Sequence, residues 1–292
     1  VTGVPRLPAW LTRPLSDPAK TRKVRQALTL YRLNTVCDEA RCPNRAECFG
    51  RGTATFMILG DRCTRDCRFC AVRHGDPEPP DPEEPPRVAA AAKALGLRYV
   101  VVTSVTRDDL DDGGAAQFAA TVRAIRRVVP DAGVEILIPD FGGNARAVDR
   151  VIASHPDVLG HNMETVRRLY PAVRPGADYE RSLAVLRRIA DSGLVHRAKS
   201  ALMIGIGETR EELFQALEDL RGAGVVTVCL GQYLRPSPAH HPVERFVSPE
   251  EFEDLRRHAL AAGFERVFAG PFVRSSYRAE EGHVERRSAR AQ

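Results

Sequence analysis

The sequence predicts an α/β protein: a partial (β/α)6 barrel of the TIM type, preceded by a cysteine-bearing N-terminal arm and followed by a C-terminal extension. The first observation is a series of short apolar, β-branched runs at 54–59, 99–103, 134–138, 157–162, 199–204 and 225–233. The second is a set of helix-like stretches among them, at 88–96, 115–129, 144–154, 179–192, 209–223 and 249–262. Short all-apolar strands alternating with amphipathic segments are the pattern of successive βαβ units, whose parallel sheet is buried on both faces. Third, six such units suit a curved, partly closed barrel better than a full eight-unit one. A doubly wound sheet is the alternative, because the pattern does not show whether the sheet curls. In either architecture ligands gather at the C-terminal ends of the strands.

Taken in order, residues 1–52 form the expected arm. It opens with Pro5, Pro8, Pro14 and Pro18 among basic residues and shows no sustained helical or strand period up to residue 50. The barrel is expected over 53–240, beginning with Ala54-Thr-Phe-Met-Ile-Leu59, a buried strand that ends at Gly60. A Pro/Glu stretch at 77–86 interrupts the pattern before the second strand. The extension is 241–292, and its tail beyond Tyr277 is charged and poor in apolar residues, so it is expected to be loosely ordered.

Composition narrows the function class. No apolar run approaches the ~20 residues that span a bilayer, and the N-terminus lacks the apolar segment of a signal peptide, so a cytoplasmic protein without a membrane partner is expected. The net charge is +5, but Lys and Arg are interleaved with Asp and Glu. That is a solvated surface rather than a phosphate-binding stripe, and no nucleic-acid partner is expected.

Six of the seven cysteines lie in the 34 residues from Cys37 to Cys70. In a long chain without a secretion signal, clustered cysteines point to metal or redox chemistry rather than to disulfides. Cys63-Thr-Arg-Asp-Cys67-Arg-Phe-Cys70 follows the first strand directly. Three thiolates on one tight loop can hold three irons of a cubane and leave the fourth without a protein ligand. An open iron is what a chelating amino acid substrate requires, and S-adenosylmethionine can bind one through its amino and carboxylate groups. One electron then cleaves a C–S bond to give a 5′-deoxyadenosyl radical. Zinc favours four closed ligands, which this loop does not offer. Cys37-Asp-Glu-Ala-Arg-Cys42-Pro-Asn-Arg-Ala-Glu-Cys48 is a second triplet, implying a second cluster that also lacks one ligand. The missing ligand could be Cys229, another side chain or a substrate. Cys229 itself sits in the apolar run Val225-Val-Thr-Val-Cys-Leu230, where a free cysteine is usually a small core residue.

The loop of Cys63, with Phe69 before its last cysteine, resembles the radical S-adenosylmethionine signature. The arm motif together with Thr53-Ala-Thr-Phe-Met-Ile-Leu-Gly-Asp-Arg-Cys63 resembles the lipoyl synthase family. The resemblance continues through Val102-Thr-Ser-Val-Thr-Arg-Asp-Asp-Leu-Asp-Asp-Gly-Gly114, His161-Asn-Met-Glu-Thr165, Met203-Ile-Gly-Ile-Gly-Glu-Thr209, Gln232-Tyr-Leu-Arg-Pro-Ser237 and Gly270-Pro-Phe-Val-Arg-Ser-Ser-Tyr277. It implies that Cys63, Cys67 and Cys70 hold a [4Fe–4S] cluster that binds S-adenosylmethionine. Cys37, Cys42 and Cys48 would hold an auxiliary [4Fe–4S] cluster, completed by a serine of Arg274-Ser-Ser-Tyr277. That serine is assigned as Ser276, with Ser275 as the fallback. Phe69 would lie near the adenine, Asn162 and Glu164 near the ribose, and Gly205 and Gly207 would allow close backbone approach. Where many superfamily members carry Gly-Gly-Glu, this chain has Thr103-Ser104-Val105.

The implied reaction inserts two sulfur atoms, at C6 and C8 of an octanoyl group on a lipoyl carrier protein. The auxiliary cluster would be the sulfur donor, and a ferredoxin or flavodoxin the electron donor. The carrier would be an E2 subunit domain or the glycine cleavage H protein. Unactivated C–H bonds exclude acid–base removal of a proton, so a carbon radical must take the hydrogen. Two rivals are a radical enzyme of methylthiotransferase or biotin-synthase type and a non-enzymatic iron–sulfur redox protein.

Overall fold

The computed structural model describes residues 7–12, 18–195 and 197–280. Pro5, Pro14 and the tail 281–292 lie outside the described residues. The strands are β1 (Asn34–Thr35), β2 (Thr55–Ile58), β3 (Arg62–Cys63), β4 (Arg73–His74), β5 (Tyr99–Ser104), β6 (Gly133–Leu137), β7 (Val158–Gly160), β8 (Arg197–Ile204), β9 (Thr227–Gln232) and β10 (Arg266–Gly270). Eight of them form one sheet in the order β1-β2-β5-β6-β7-β8-β9-β10, while β3 and β4 pair separately. Only β1 runs antiparallel to its neighbour; the other pairings of the large sheet are parallel.

All six strands expected from the sequence are present, as β2 and β5 to β9. Their spatial order follows chain order without reversal. A doubly wound sheet needs a point where the order reverses, so this topology is that of a partial barrel. Helices Glu84–Leu95, Ala115–Val128, Ala145–Ile152, Tyr179–Asp191 and Arg210–Gly222 connect the strands. Helix Ala115–Val128 buries Ala115, Phe118, Ala119, Val122 and Ile125, one face at helical spacing. Helix Arg210–Gly222 begins with a reciprocal capping box between Thr209 and Glu212, which satisfies two backbone N–H groups that otherwise lack partners.

Three features depart from the sequence reading. Helix Pro18–Tyr31 lies in the arm, where no period was expected. Its buried positions Val24, Ala27 and Leu28 are few and interrupted by basic residues. They nonetheless share a face, and the helix is pinned to helix Glu84–Leu95, with Arg87 Nε donating to the Tyr31 carbonyl at 3.0 Å. Next, helix Pro249–Ala261 leads into β10, which adds a parallel strand beyond residue 240. Finally, β7 is short because the chain leaves the sheet at Asn162 and Glu164 takes a positive φ of 66°.

Side chains at alternate positions point to opposite faces of a sheet. Thr55 and Met57, Ala201 and Met203, and Cys229 and Gly231 accordingly turn to the same interior. This places a cavity at the C-terminal ends of the strands.

Candidate cluster-binding site

The cavity measures about 490 Å³. Its wall includes Cys63 and Cys70 from the loop after β2, Cys42 from the arm, and Ser275 and Ser276 from the extension. Phe69, Asn162, Glu164 and Cys229 also face it. Segments far apart in sequence therefore meet at one opening.

The loop carrying Cys63, Cys67 and Cys70 is fastened to the barrel. Thr64 N donates to the Thr106 carbonyl at 3.0 Å, and Asp108 N donates to Thr64 Oγ1 at 3.0 Å. Arg65 makes a two-pronged ion pair with Asp108, at 2.7 and 2.8 Å. The same guanidinium reaches the fully buried carboxylate of Asp140 at 2.7 and 3.0 Å. Although burial works against ionisation of Asp140, Arg65 holds its carboxyl well below the usual range. Cys63 Sγ accepts N–H groups of Thr106 at 3.3 Å and Arg65 at 3.4 Å. These bonds fix the position of the sulfur at the end of the barrel.

The arm triplet meets the C-terminal motif around a smaller cavity of about 40 Å³. Cys37, Cys42, Cys48 and Ser276 line it, whereas Ser275 does not. Asn44 Nδ2 donates to the Phe272 carbonyl at 2.7 Å, and Tyr277 OH donates to Glu47 Oε1 at 2.9 Å. Arg51 pairs with Glu280 at 2.9 Å. The Asn44 Oδ1 atom is buried and has no hydrogen-bond partner.

These donors suit iron–sulfur clusters. Burial pushes Cys37 and Cys67 up to about 11 and Cys48 and Cys70 up to about 12, so as free thiols they would stay neutral. Coordinated metal cations deprotonate such thiols outright. Among the described residues no three His, Cys, Asp or Glu side chains converge as a single metal ion requires. A cubane instead distributes its thiolates over separate irons.

Residues expected near S-adenosylmethionine divide into two groups. Phe69, Asn162 and Glu164 face the cavity. Asn162 Nδ2 donates to Glu164 Oε1 at 3.0 Å, while the buried Asn162 Oδ1 lacks a partner. An acceptor left open there fits a ligand hydroxyl. Gly205 and Gly207 do not line the cavity. A Cβ on Gly205 would meet the Arg245 carbonyl oxygen at 2.3 Å, and one on Gly207 would meet Glu244 Cγ at 3.4 Å. Gly205 admits the backbone at Arg245, whereas Gly207, with φ 118°, faces only side chains.

Sequence reasoning overlooked Arg174, which is buried and donates to the carbonyls of Asn162 at 3.1 Å and Met163 at 3.0 Å. It fixes the chain as it leaves β7. Lys199, in β8, is buried and pairs with Glu135 at 2.7 Å. Glu135 also accepts from Tyr99 OH at 2.8 Å.

The pattern of the radical SAM superfamily matches residues 57–220. Proteins described as lipoyl synthase from Symbiobacterium thermophilum and Thermus thermophilus are 56% and 52% identical to this chain. Each match spans 95% of this chain and 87% of the relative. This chain belongs to the lipoyl synthase family. A third lipoyl synthase, from Chlorobaculum tepidum, is 52% identical, with 96% of both chains covered. Lipoyl synthases are radical SAM sulfurtransferases, and superfamily membership implies a [4Fe–4S] cluster and S-adenosylmethionine.

Solved structures at lower identity share the barrel. Methylornithine synthase (PylB) superposes with a TM-score of 0.52 at 16% identity, over 92% of this chain and 85% of that one. SuiB from Streptococcus suis, bound to S-adenosylmethionine, gives 0.55 at 13% identity, over 73% of this chain and 49% of that one. Among the described residues no helix is long and apolar enough to cross a membrane.

Proposed function

We propose that this chain acts as a lipoyl synthase, inserting sulfur at C6 and C8 of an octanoyl group carried by a lipoyl carrier domain, with an auxiliary cluster as sulfur donor. The observation that carries the reading is that Cys42 of the arm, Cys63 and Cys70 of the barrel loop and Ser276 line one cavity, while Cys42 and Ser276 also border the smaller cavity of Cys37 and Cys48. An alkyl chain in that cavity would lie between the residues that would hold the two clusters. When bound, the clusters and S-adenosylmethionine supply the electron, the hydrogen-abstracting radical and the sulfur.

The protein's own residues hold and exclude. Cys63, Cys67 and Cys70 ligate the cluster that binds S-adenosylmethionine, and Cys37, Cys42, Cys48 and Ser276 ligate the auxiliary one. Phe69, Asn162 and Glu164 position S-adenosylmethionine at the end of β7. Burial raises the pKa of Glu164, with Arg174 opposing that rise. Met57, Val105, Leu202 and Met203 give the cavity an apolar wall, suited to a saturated chain and to keeping water from a carbon radical. Ser276 would supply the fourth ligand to the auxiliary cluster, an oxygen that is a harder donor than thiolate and would hold iron less firmly. The arm, barrel and extension are assigned to 1–52, 53–240 and 241–292. The carrier is an E2 subunit domain or an H protein, and electrons come from a ferredoxin or flavodoxin.

The test is an iron and sulfide count on anaerobically reconstituted protein, beside a variant with Cys37, Cys42 and Cys48 changed to alanine. About eight irons in the parent and about four in the variant are expected. The variant should still cleave S-adenosylmethionine but form no lipoyl product. About four irons in both would remove the proposed sulfur source.

A further inference from the structure

Of all the residues lining the large cavity, only two are exposed to solvent: Arg41 and Arg235. They come from different parts of the chain, Arg41 from the arm motif and Arg235 from the loop after β9. Both therefore mark the mouth. The other charged residues in the wall are Arg274, which is half-buried, and Glu164, whose carboxylate accepts from Asn162. The rim is thus purely cationic.

Neither exposed arginine makes an ion pair among the described residues. Arg41 has no side-chain hydrogen bond there either. It occupies the left-handed region, with φ 49°, just past the short helix Val36–Glu39. Glycine or asparagine is the relaxed choice at that position. Strain tolerated by a long cationic side chain points to a use for the side chain. Arg235 is held by its own loop, with Nε donating to the His240 carbonyl at 2.8 Å and Nη2 donating to the Pro238 carbonyl. Its remaining N–H donors are left over in a fixed orientation. Neighbouring cations are neutralised: Arg68 pairs with Asp66, Arg73 with Asp61 and Arg245 with Glu251.

We infer that Arg41 and Arg235 form a docking clamp for carboxylates that flank the octanoylated lysine on a folded carrier domain. This rests on the proposed function, since it supplies the surface that presents the octanoyl chain to the cavity. Two guanidinium groups without an ion pair among the described residues, at the solvent-facing edge of the cavity, select an acidic partner surface. They steer it by long-range attraction and hold it while the chain enters. Rim charges of this kind govern encounter and its salt dependence more than the chemical step.

The test uses reconstituted holoenzyme, an octanoylated carrier domain, and a neutral octanoyllysyl tripeptide that has no acidic surface. With the parent enzyme, the KM for the carrier should rise about tenfold between low salt and ~0.5 M salt, while that for the tripeptide stays flat. In the double variant Arg41→Glu, Arg235→Glu, carrier binding measured by fluorescence anisotropy should weaken about tenfold or more at low salt. The difference should close at high salt, and a carrier whose flanking carboxylates are changed to lysine should restore binding. Unaltered carrier binding, or an unaltered salt slope, in the double variant would overturn the clamp. So would a lost affinity for S-adenosylmethionine with carrier binding intact, because the arginines would then serve the cofactor. If the fully loaded parent converts neither carrier nor tripeptide, the proposed function fails first and the clamp falls with it.

Discussion

The two cysteine triplets have similar donors but different supports. Cys63, Cys67 and Cys70 sit on a loop tied to strand ends by Thr64, by two bonds to Cys63 Sγ, and by Arg65 bridging Asp108 and Asp140. Arg65 is 8% exposed and Asp140 is fully buried. Cys37, Cys42 and Cys48 are closed over by a peripheral flap instead. Its ties are Asn44 to Phe272, Tyr277 to Glu47, and Arg51 to Glu280, with Arg51 39% exposed. A buried ion pair that loses one partner leaves an uncompensated charge and is costly to break, while exposed pairs contribute little. The barrel site is therefore built to persist through turnover. The flap site can loosen without unfolding the protein, which agrees with the sulfur-donor role proposed for its cluster.

The largest expected effect separates the triplets outright. Cys63→Ala should abolish cleavage of S-adenosylmethionine, measured as 5′-deoxyadenosine formed. Cys48→Ala should leave that cleavage within a few-fold of the parent while lipoyl product disappears. Loss of cleavage in both variants would break the comparison, because the two sites would then not be independent. Next comes support rather than ligation. Arg65→Ala should cost about 3 kcal/mol of stability by thermal or urea unfolding, since the buried Asp140 loses its two-pronged partner and keeps Arg181 at 2.8 Å and the Gly142 N–H at 3.1 Å.

Acid should attack the barrel side in two stages. His161 is buried, with Nδ1 donating to the Ile138 carbonyl at 2.9 Å. Burial lowers its pKa from 6.5 to about 4, with Arg174 adding to the effect. The unfolded chain thus binds the extra proton first. Stability is full above about pH 6.5 and is lost as the pH falls toward about 4, by on the order of 3 kcal/mol. Asp140 has its pKa lowered, so its contribution is present above its ordinary 3.8 and is lost only in stronger acid. His161→Gln should flatten the first stage in a pH series of unfolding midpoints. An unchanged slope between pH 6.5 and 4 would assign it to another group.

What the sequence disclosed follows the same division. The six barrel strands were legible because a parallel sheet buried on both faces leaves unbroken apolar runs, as in Tyr99–Ser104. The two cysteine triplets stood out because each is local in sequence, and the ligand roles given to them belong to the proposed function. The flap was not, since Asn44 meets Phe272 across 228 positions and no periodicity encodes that meeting. Gly205 shows the limit of reading glycine: a residue that admits close approach does not say what approaches, and here it is the backbone at Arg245. Ser275 and Ser276 are indistinguishable as adjacent letters, and only the packed chain puts Ser276 beside all three arm cysteines. Ser276→Ala should accordingly reduce the yield of lipoyl product severalfold, with Ser275→Ala nearer the parent.

The smallest effect tests the flap itself. Tyr277→Phe removes the hydroxyl that donates to Glu47, a half-buried bond at 2.9 Å. Its loss should cost about 1 kcal/mol, too little to shift global unfolding far. Local opening is a separate equilibrium from global unfolding, so amide exchange should accelerate about fivefold near residues 272–280 and stay unchanged in the loop of Cys63. Equal acceleration at both sites would mean that flap and barrel loop open together, and the two triplets would then share one support.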